Sequence, residues 1–206
     1  MYRTFPFACC LCFSLFGASA TIRPSESLTV VLDIKDHHYS PSSLAAMESE
    51  AQRIFDDTGM KLDWRLKERL PEHAEFANVV VFTMTGSCRM SMVPLLIDER
   101  GPLALTYTSD GEVLPFGEVR CDRIKASLQR SPHPSNGRSW DALFGIALGR
   151  VMAHELYHML SDEVDHTQNG VARTSLRADE LVSGTLHLDS TALSRIESHL
   201  ATAGPK

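Results

Sequence analysis

The sequence has no excess of basic charge. Its 20 Lys and Arg face 26 Asp and Glu, a formal net charge of −6. That balance is the wrong sign for holding a phosphate backbone, so a nucleic-acid partner is not expected. No internal repeat and no low-complexity tract is present, which argues against solenoid and array architectures. Only the first twenty residues hold a long apolar run, and no later stretch approaches the roughly twenty apolar residues of a membrane span. Cysteine is scarce beyond that run, because Cys9, Cys10 and Cys12 all lie within it.

The run itself has the layout of a secretory signal. Arg3 supplies a positive charge, Phe5 to Phe16 are mostly apolar, and Ala18-Ser19-Ala20 ends the stretch with small residues at cleavage spacing. Residues 1–20 therefore read as a signal peptide cleaved after Ala20, and the product as secreted or periplasmic, with no stable membrane insertion. The early cysteines fall inside the apolar run rather than after it, which argues against a lipoprotein. Cleavage removes one arginine and no acid, taking the net charge from −6 to −7. Cys88 and Cys121 then remain, either as one disulfide or as two buried thiols. Residues 21–206 suffice for one domain with a sizeable core, its upper part 21–160 and its lower part 161–206.

Along the chain, Ser27 to Lys35 is β-branched and apolar and reads as a strand. Asp36 to Pro41 is a turn, in which His37 and His38 read as solvated loop rather than ligands. Ser42 or Ser43 caps a helix running to Phe55 or Asp57, marked by Leu44, Met47, Ala51, Ile54 and Phe55 and stopped by Gly59. Lys61 to Leu66 and Asn78 to Thr85 are two further strands. This β-α-β-β order implies a parallel or mixed sheet. Gly86 to Pro94 is a loop. Pro102 to Ser109 reads as a strand, Asp110-Gly111 as a turn, and Val113 to Cys121 as an irregular strand past Pro115. A short helix spans Asp122 to Gln129, and Arg130 to Gly137 is an exposed connection. Ser190 to Leu200 is a closing amphipathic helix, with 201–206 fraying.

Between them lies the stretch that carries chemistry. Ser139 is a plausible N-cap, with Asp141 in the first turn, for a long helix ending near Asp162. Gly145 and Gly149 cost that helix propensity, so a close approach of the sheet or a neighbouring segment is expected in return. On it, His154 and His158 are four residues apart and share a face. Glu155 projects beside them. This H-E-x-x-H spacing lets two imidazoles hold one zinc ion while the glutamate serves as general base. Leu143, Ile146, Ala147, Val151 and Met152 make the surroundings apolar, so a polar patch there needs a partner to offset desolvation. A catalytic zinc usually takes a third protein ligand. His166 fits, eight residues after His158 and just before the Asn169-Gly170 turn. Glu180 and Asp189 are the competing carboxylates. His73, His133, His187 and His199 have no spacing that marks them.

With those residues in place the sequence resembles the zincin metalloproteases, most closely their metzincin branch, and also a group of short exported bacterial metallopeptidases whose third histidine follows at the same distance. The resemblance implies a zincin-like α+β fold: a mixed twisted sheet packed on helices, an active-site helix, and a small C-terminal helical part. It implies Zn2+ on His154, His158 and His166, Glu155 as catalytic base, and a peptide or protein substrate laid against an edge strand near Leu103 to Thr108. The metzincin pattern has a glycine three residues after the second histidine, a third histidine at six, and a methionine turn under the metal. Here Ser161, Val164 and Val171-Ala172 stand at the corresponding places. The expected activity is that of an exported zinc endopeptidase. The alternative is a zincin-shaped zinc-binding or interaction protein without turnover. Tyr157 and Arg173 are candidate oxyanion donors.

Overall fold

The computed structural model describes residues 27–91, 101–130 and 137–203. The signal peptide at 1–20, loop residues 92–94, most of the 130–137 connection, His133 and the last three residues lie outside them. Among the described residues there are five strands and four α-helices. They are β1 (Ser27–Ile34), α1 (Pro41–Phe55), β2 (Lys61–Leu66), β3 (Val79–Thr85), β4 (Ala104–Ser109), β5 (Glu112–Arg120), α2 (Cys121–Arg130), α3 (Trp140–Ser161) and α4 (Ser190–Ala203).

The strands form a single mixed sheet in the order β2-β1-β3-β5-β4. The helical crossover makes β1 parallel to β2 and β3, and β3 is parallel to β5. Only β4 runs antiparallel, paired to β5 and lying at the sheet edge. The Asp110-Gly111 turn that joins them takes positive φ at both residues, which suits a tight hairpin. The register slips between Thr106 and Thr108, opposite the β5 stretch holding Pro115, which has no N–H to offer a partner. Alternation along β3 turns Val80, Phe82 and Met84 into the core.

The expected elements are present with small shifts. Helix α1 starts at Pro41 rather than after Ser42, because proline at a first helical position loses no hydrogen bond. The nearby hydroxyls bind α3 instead: Ser40 Oγ donates to Asp141 Oδ2 at 2.9 Å and Ser43 Oγ to Asp141 O at 3.0 Å. Strand β4 starts two residues later than expected, past Pro102. Helix α4 runs past Leu200 to Ala203. Cys88 and Cys121 form a disulfide, with Cα atoms 5.0 Å apart, tying the segment after β3 to the start of α2.

Helix α3 is buried on nearly all sides, so it is the central element rather than a surface one. It lies against α1 at two glycines. A Cβ on Gly149 would stand 2.7 Å from Met47 O, and one on Gly145 would collide with Ser43 O. The neighbouring segment that the glycines admit is thus the α1 backbone, not the sheet.

One turn before the histidines, α3 carries Arg150, which is 2% exposed. Its Nε donates to Glu50 Oε1 at 2.7 Å, and its Nη atoms donate to the carbonyls of Glu180, Ser183 and Gly184 at 2.6–2.7 Å. Glu50 also accepts from Arg53, which in turn reaches Leu186 O at 2.9 Å. One carboxylate thus orders two guanidinium groups, and these hold residues 180–186 against α1 and α3. Burial pushes the Glu50 carboxyl up, but the hydrogen bonds and charges of Arg53 and Arg150 outweigh it and hold the group below its ordinary value. A carboxyl lowered in the folded state contributes stability above its unfolded pKa, about 4.3. That contribution disappears as pH falls through the folded value. Glu50→Gln is therefore expected to cost about 3 kcal/mol in urea unfolding at pH 7, as for a broken buried pair. The gap to wild type should narrow steadily below about pH 4.

Candidate metal centre

The site starts from the way α3 is capped. Ser139 Oγ accepts from Ala142 N at 3.2 Å, with Asp141 in the first turn. The helix then runs unbroken through His154, Glu155 and His158. Their helical spacing brings the two imidazoles together, with ring centroids 4.9 Å apart.

The chain beyond the helix fixes how each ring is protonated. His154 Nδ1 lies 2.9 Å from Val171 O, and His158 Nδ1 lies 2.7 Å from Glu163 O. A carbonyl oxygen only accepts, so both Nδ1 atoms carry the proton and donate it. Burial lowers the proton affinity of both rings, His166 lowers it further, and for His158 so does His154, so each is neutral at pH 7. Both Nε2 atoms are then bare lone pairs, and they face each other across 3.2 Å. Two acceptors at that distance repel unless something positive lies between them. Two nitrogens about 2.0–2.1 Å from one tetrahedral ion sit roughly 3.3–3.4 Å apart, so the observed spacing suits a shared cation.

His166 completes the cluster. Its ring centroid is 5.1 Å from that of His154 and 4.9 Å from that of His158. One ligand atom from each of the three rings lies within 4.8 Å of the others. The donor set is three imidazole nitrogens, a set suited to zinc with a position left open.

Beside the rings, Glu155 is 6% exposed. Thr106 of β4 donates its hydroxyl to Glu155 Oε2 at 2.7 Å. Burial raises the carboxyl's proton affinity, partly offset by Thr106 and by His158. Two cavities meet at Glu155 and His154. One of about 350 Å³ runs past Thr106, Thr108, Val113, His158 and His166. The other, of about 260 Å³, runs past Pro102, Leu103, Val151 and Leu176. Both follow β4.

The fold and this geometry can now be set beside known structures. By sequence the chain matches no family model and no curated protein. By structure it is similar to archaemetzincin from Methanopyrus kandleri, with a TM-score of 0.52 at 13% identity over 86% of this chain and 96% of that one. The fold is metzincin-like.

Within this metzincin-like fold, the departures in sequence have physical counterparts. Ser161, at the place of the expected glycine, stays helical and donates its hydroxyl to Tyr157 O. Asp162 takes over the left-handed position, with φ 53°, and its Oδ1 accepts from Val113 N at 3.0 Å. The helix thus stops one residue later, which accounts for one of the two residues by which His166 is late. At the place of the methionine, Val171 and Ala172 are fully buried under His154. Gly170 is required just before them, since its φ is 71° and a Cβ would collide with His187 O.

The competing carboxylates are engaged elsewhere. Glu180 pairs with Arg173 and accepts from Arg177 N at 2.8 Å. Asp189 Oδ1 accepts from Ala192 N at 2.8 Å, capping α4. The hydroxyl of Tyr157 donates to Asp165 O and Arg173 pairs with Glu180, and neither residue lines the two cavities. His37 binds Glu68 at 2.7 Å, far from the centre in sequence and on another cavity. Thr106 was not singled out by sequence reasoning. The only available signal was its shared strand face with buried Ala104, and that needs the β4–β5 register to become meaningful.

Metal addition provides the check. Chelator-stripped protein is expected to bind one equivalent of zinc, read by competition with a chromophoric chelator. At free zinc a hundredfold above Kd it should gain about 2.7 kcal/mol against urea, and His158→Ala should lose nearly all of that gain.

Proposed function

We propose that this chain is an exported zinc metallopeptidase that cleaves internal peptide bonds. The observation that supports this most is a pair of bare, facing imidazole nitrogens beside a buried carboxylate, on the floor of a cleft that follows a strand edge. A metzincin-like fold agrees with it.

His154, His158 and His166 would hold the ion. The chemistry it supplies when bound is Lewis acidity, which lowers the pKa of water and polarises a carbonyl. The chain's own residues do the rest. Glu155 takes the proton of the attacking water and delivers it to the leaving amine. Thr106 anchors one carboxylate oxygen and leaves the other for that proton. Burial favours the protonated state that the second half of this exchange needs. Strand β4 offers its free edge to an extended peptide, by strand addition. Two adjoining cavities share His154 and Glu155, one lined by residues 101–104 and the other by Leu105, Thr106 and Thr108 of β4, which leaves room for more than one substrate residue beside the base. This favours an endopeptidase.

Export is supported by the signal-like residues 1–20 and by the Cys88–Cys121 disulfide, which suits an oxidising compartment. Among the described residues no helix is long and apolar enough to cross a membrane.

Zinc-loaded protein is expected to hydrolyse an unfolded protein such as casein, followed by mass spectrometry of the fragments. Glu155→Gln should keep its zinc and lose about 10²–10⁴-fold in rate. Equal hydrolysis by that variant would sink the mechanism, and zinc binding without hydrolysis in wild type would favour the binding-protein reading. Thr106→Val should lower kcat about tenfold with little change in KM, because it touches the base rather than the substrate.

A further inference from the structure

Two of the three histidines are held by a buried helix. The third sits in an exposed loop, and its flanks must be fixed by something else. On the downstream side the loop is bonded to itself: Thr167 N donates to Ala172 O at 2.9 Å, and Thr167 Oγ1 to Asn169 O at 2.8 Å. On the upstream side Asp162, Val164 and Asp165 are exposed. There the hold comes from Tyr157, next to His158 on α3. Its side chain is fully buried, and its hydroxyl donates to Asp165 O at 3.0 Å. Arg195, on α4, donates Nη1 to the same hydroxyl at 2.6 Å and to Asp165 O at 3.2 Å. Phenol, guanidinium and carbonyl close a ring of three hydrogen bonds. The carbonyl belongs to the peptide whose nitrogen is that of His166.

We propose that Tyr157 and Arg195 are positioning residues for His166, and that through them the C-terminal helix α4 forms part of the metal centre. The assignment rests on reading the three histidines as metal ligands. A phenylalanine would fill the space of the Tyr157 ring equally well. The hydroxyl is therefore accounted for by what it bonds, since a buried hydroxyl is costly unless it is satisfied. Arg195 is half-buried, and its guanidinium donates to both the Tyr157 hydroxyl and the Asp165 carbonyl. Neither residue lines the cavities, so neither is placed to touch substrate.

Zinc affinity, measured by chelator competition on the full mature chain, provides the test. Arg195→Ala and Tyr157→Phe are each expected to weaken zinc about 10–100-fold, as outer partners of ligands do. Together they should cost little more than either alone, because they act on one carbonyl. In a His166→Ala background both should change affinity less than twofold, since the group they position is gone. A merely structural role would weaken zinc equally in both backgrounds, and that result overturns the proposal. So does unchanged affinity in Arg195→Ala, the variant at a half-buried position where folding is least at stake. Failure of the wild-type chain to bind zinc would instead overturn the metal reading itself. Cobalt substitution gives a second readout: the visible bands of a tetrahedral site should weaken or shift in Arg195→Ala while the far-ultraviolet circular dichroism stays unchanged.

Discussion

Two backbone carbonyls decide the character of this molecule. Glu163 O and Val171 O each take the Nδ1 proton of a buried imidazole, and so turn two bare nitrogens toward each other at 3.2 Å. Neither carbonyl belongs to the helix that carries the histidines. Both lie in the segment that follows it, so the helix supplies the rings and the following chain sets their protonation. A folded chain that aims two lone pairs at each other in a buried setting has spent stability on the arrangement. Such strain is expected where a charge is to be received, and the third ring at the same point gives the charge its place.

The segment from Asp162 to Asp189 has no helix or strand of its own. Unstructured stretches of this length are uncommon inside compact folds unless they serve a site. Here it is held by side chains rather than by backbone ladders. Arg150 binds its far end, His154 its middle, and Tyr157 and His158 its start. All four lie on α3, within about two turns. A helix that is largely apolar thus uses four of its polar residues to hang the lower segment beneath the histidine cluster, while Asp141 binds the start of α1 and Glu155 binds Thr106. Glu50 completes the scheme from α1 by ordering Arg150 and Arg53.

The sequence revealed most of what depends on local pattern. The bounds of β2 were legible from alternation alone, and the cap at Ser139 from its side chain. The meeting of His154 and His158 follows from helical spacing. The β-α-β-β order left a parallel or a mixed sheet open, and the mixed sheet and the edge position of β4 followed from the resemblance. What was not legible depends on register and on distant partners. Thr106 is polar and unremarkable in a strand until the β4–β5 pairing turns it toward α3. Tyr157 stood in the sequence as a candidate oxyanion donor, but its hydroxyl is committed to Asp165 and Arg195, and Arg195 is 38 residues away. Gly145 and Gly149 announced a close approach without saying to what, because the sequence cannot tell sheet from helix as the neighbour.

The lateness of His166 has a structural logic of its own. A glycine at a helix end takes the left-handed conformation without steric cost, whereas Asp162 takes it against its Cβ. Its side chain gains a bond to Val113 N in return, which ties the end of α3 to the β4–β5 hairpin. The same residue thus ends the helix, begins the loop to the third histidine, and anchors the hairpin whose edge bounds the cleft. The later stop leaves one further residue in the loop, and there the Asp165 carbonyl, bonded to Tyr157 and Arg195, fixes the backbone immediately before His166, so the position of the ring rests on that contact as well as on the count of residues.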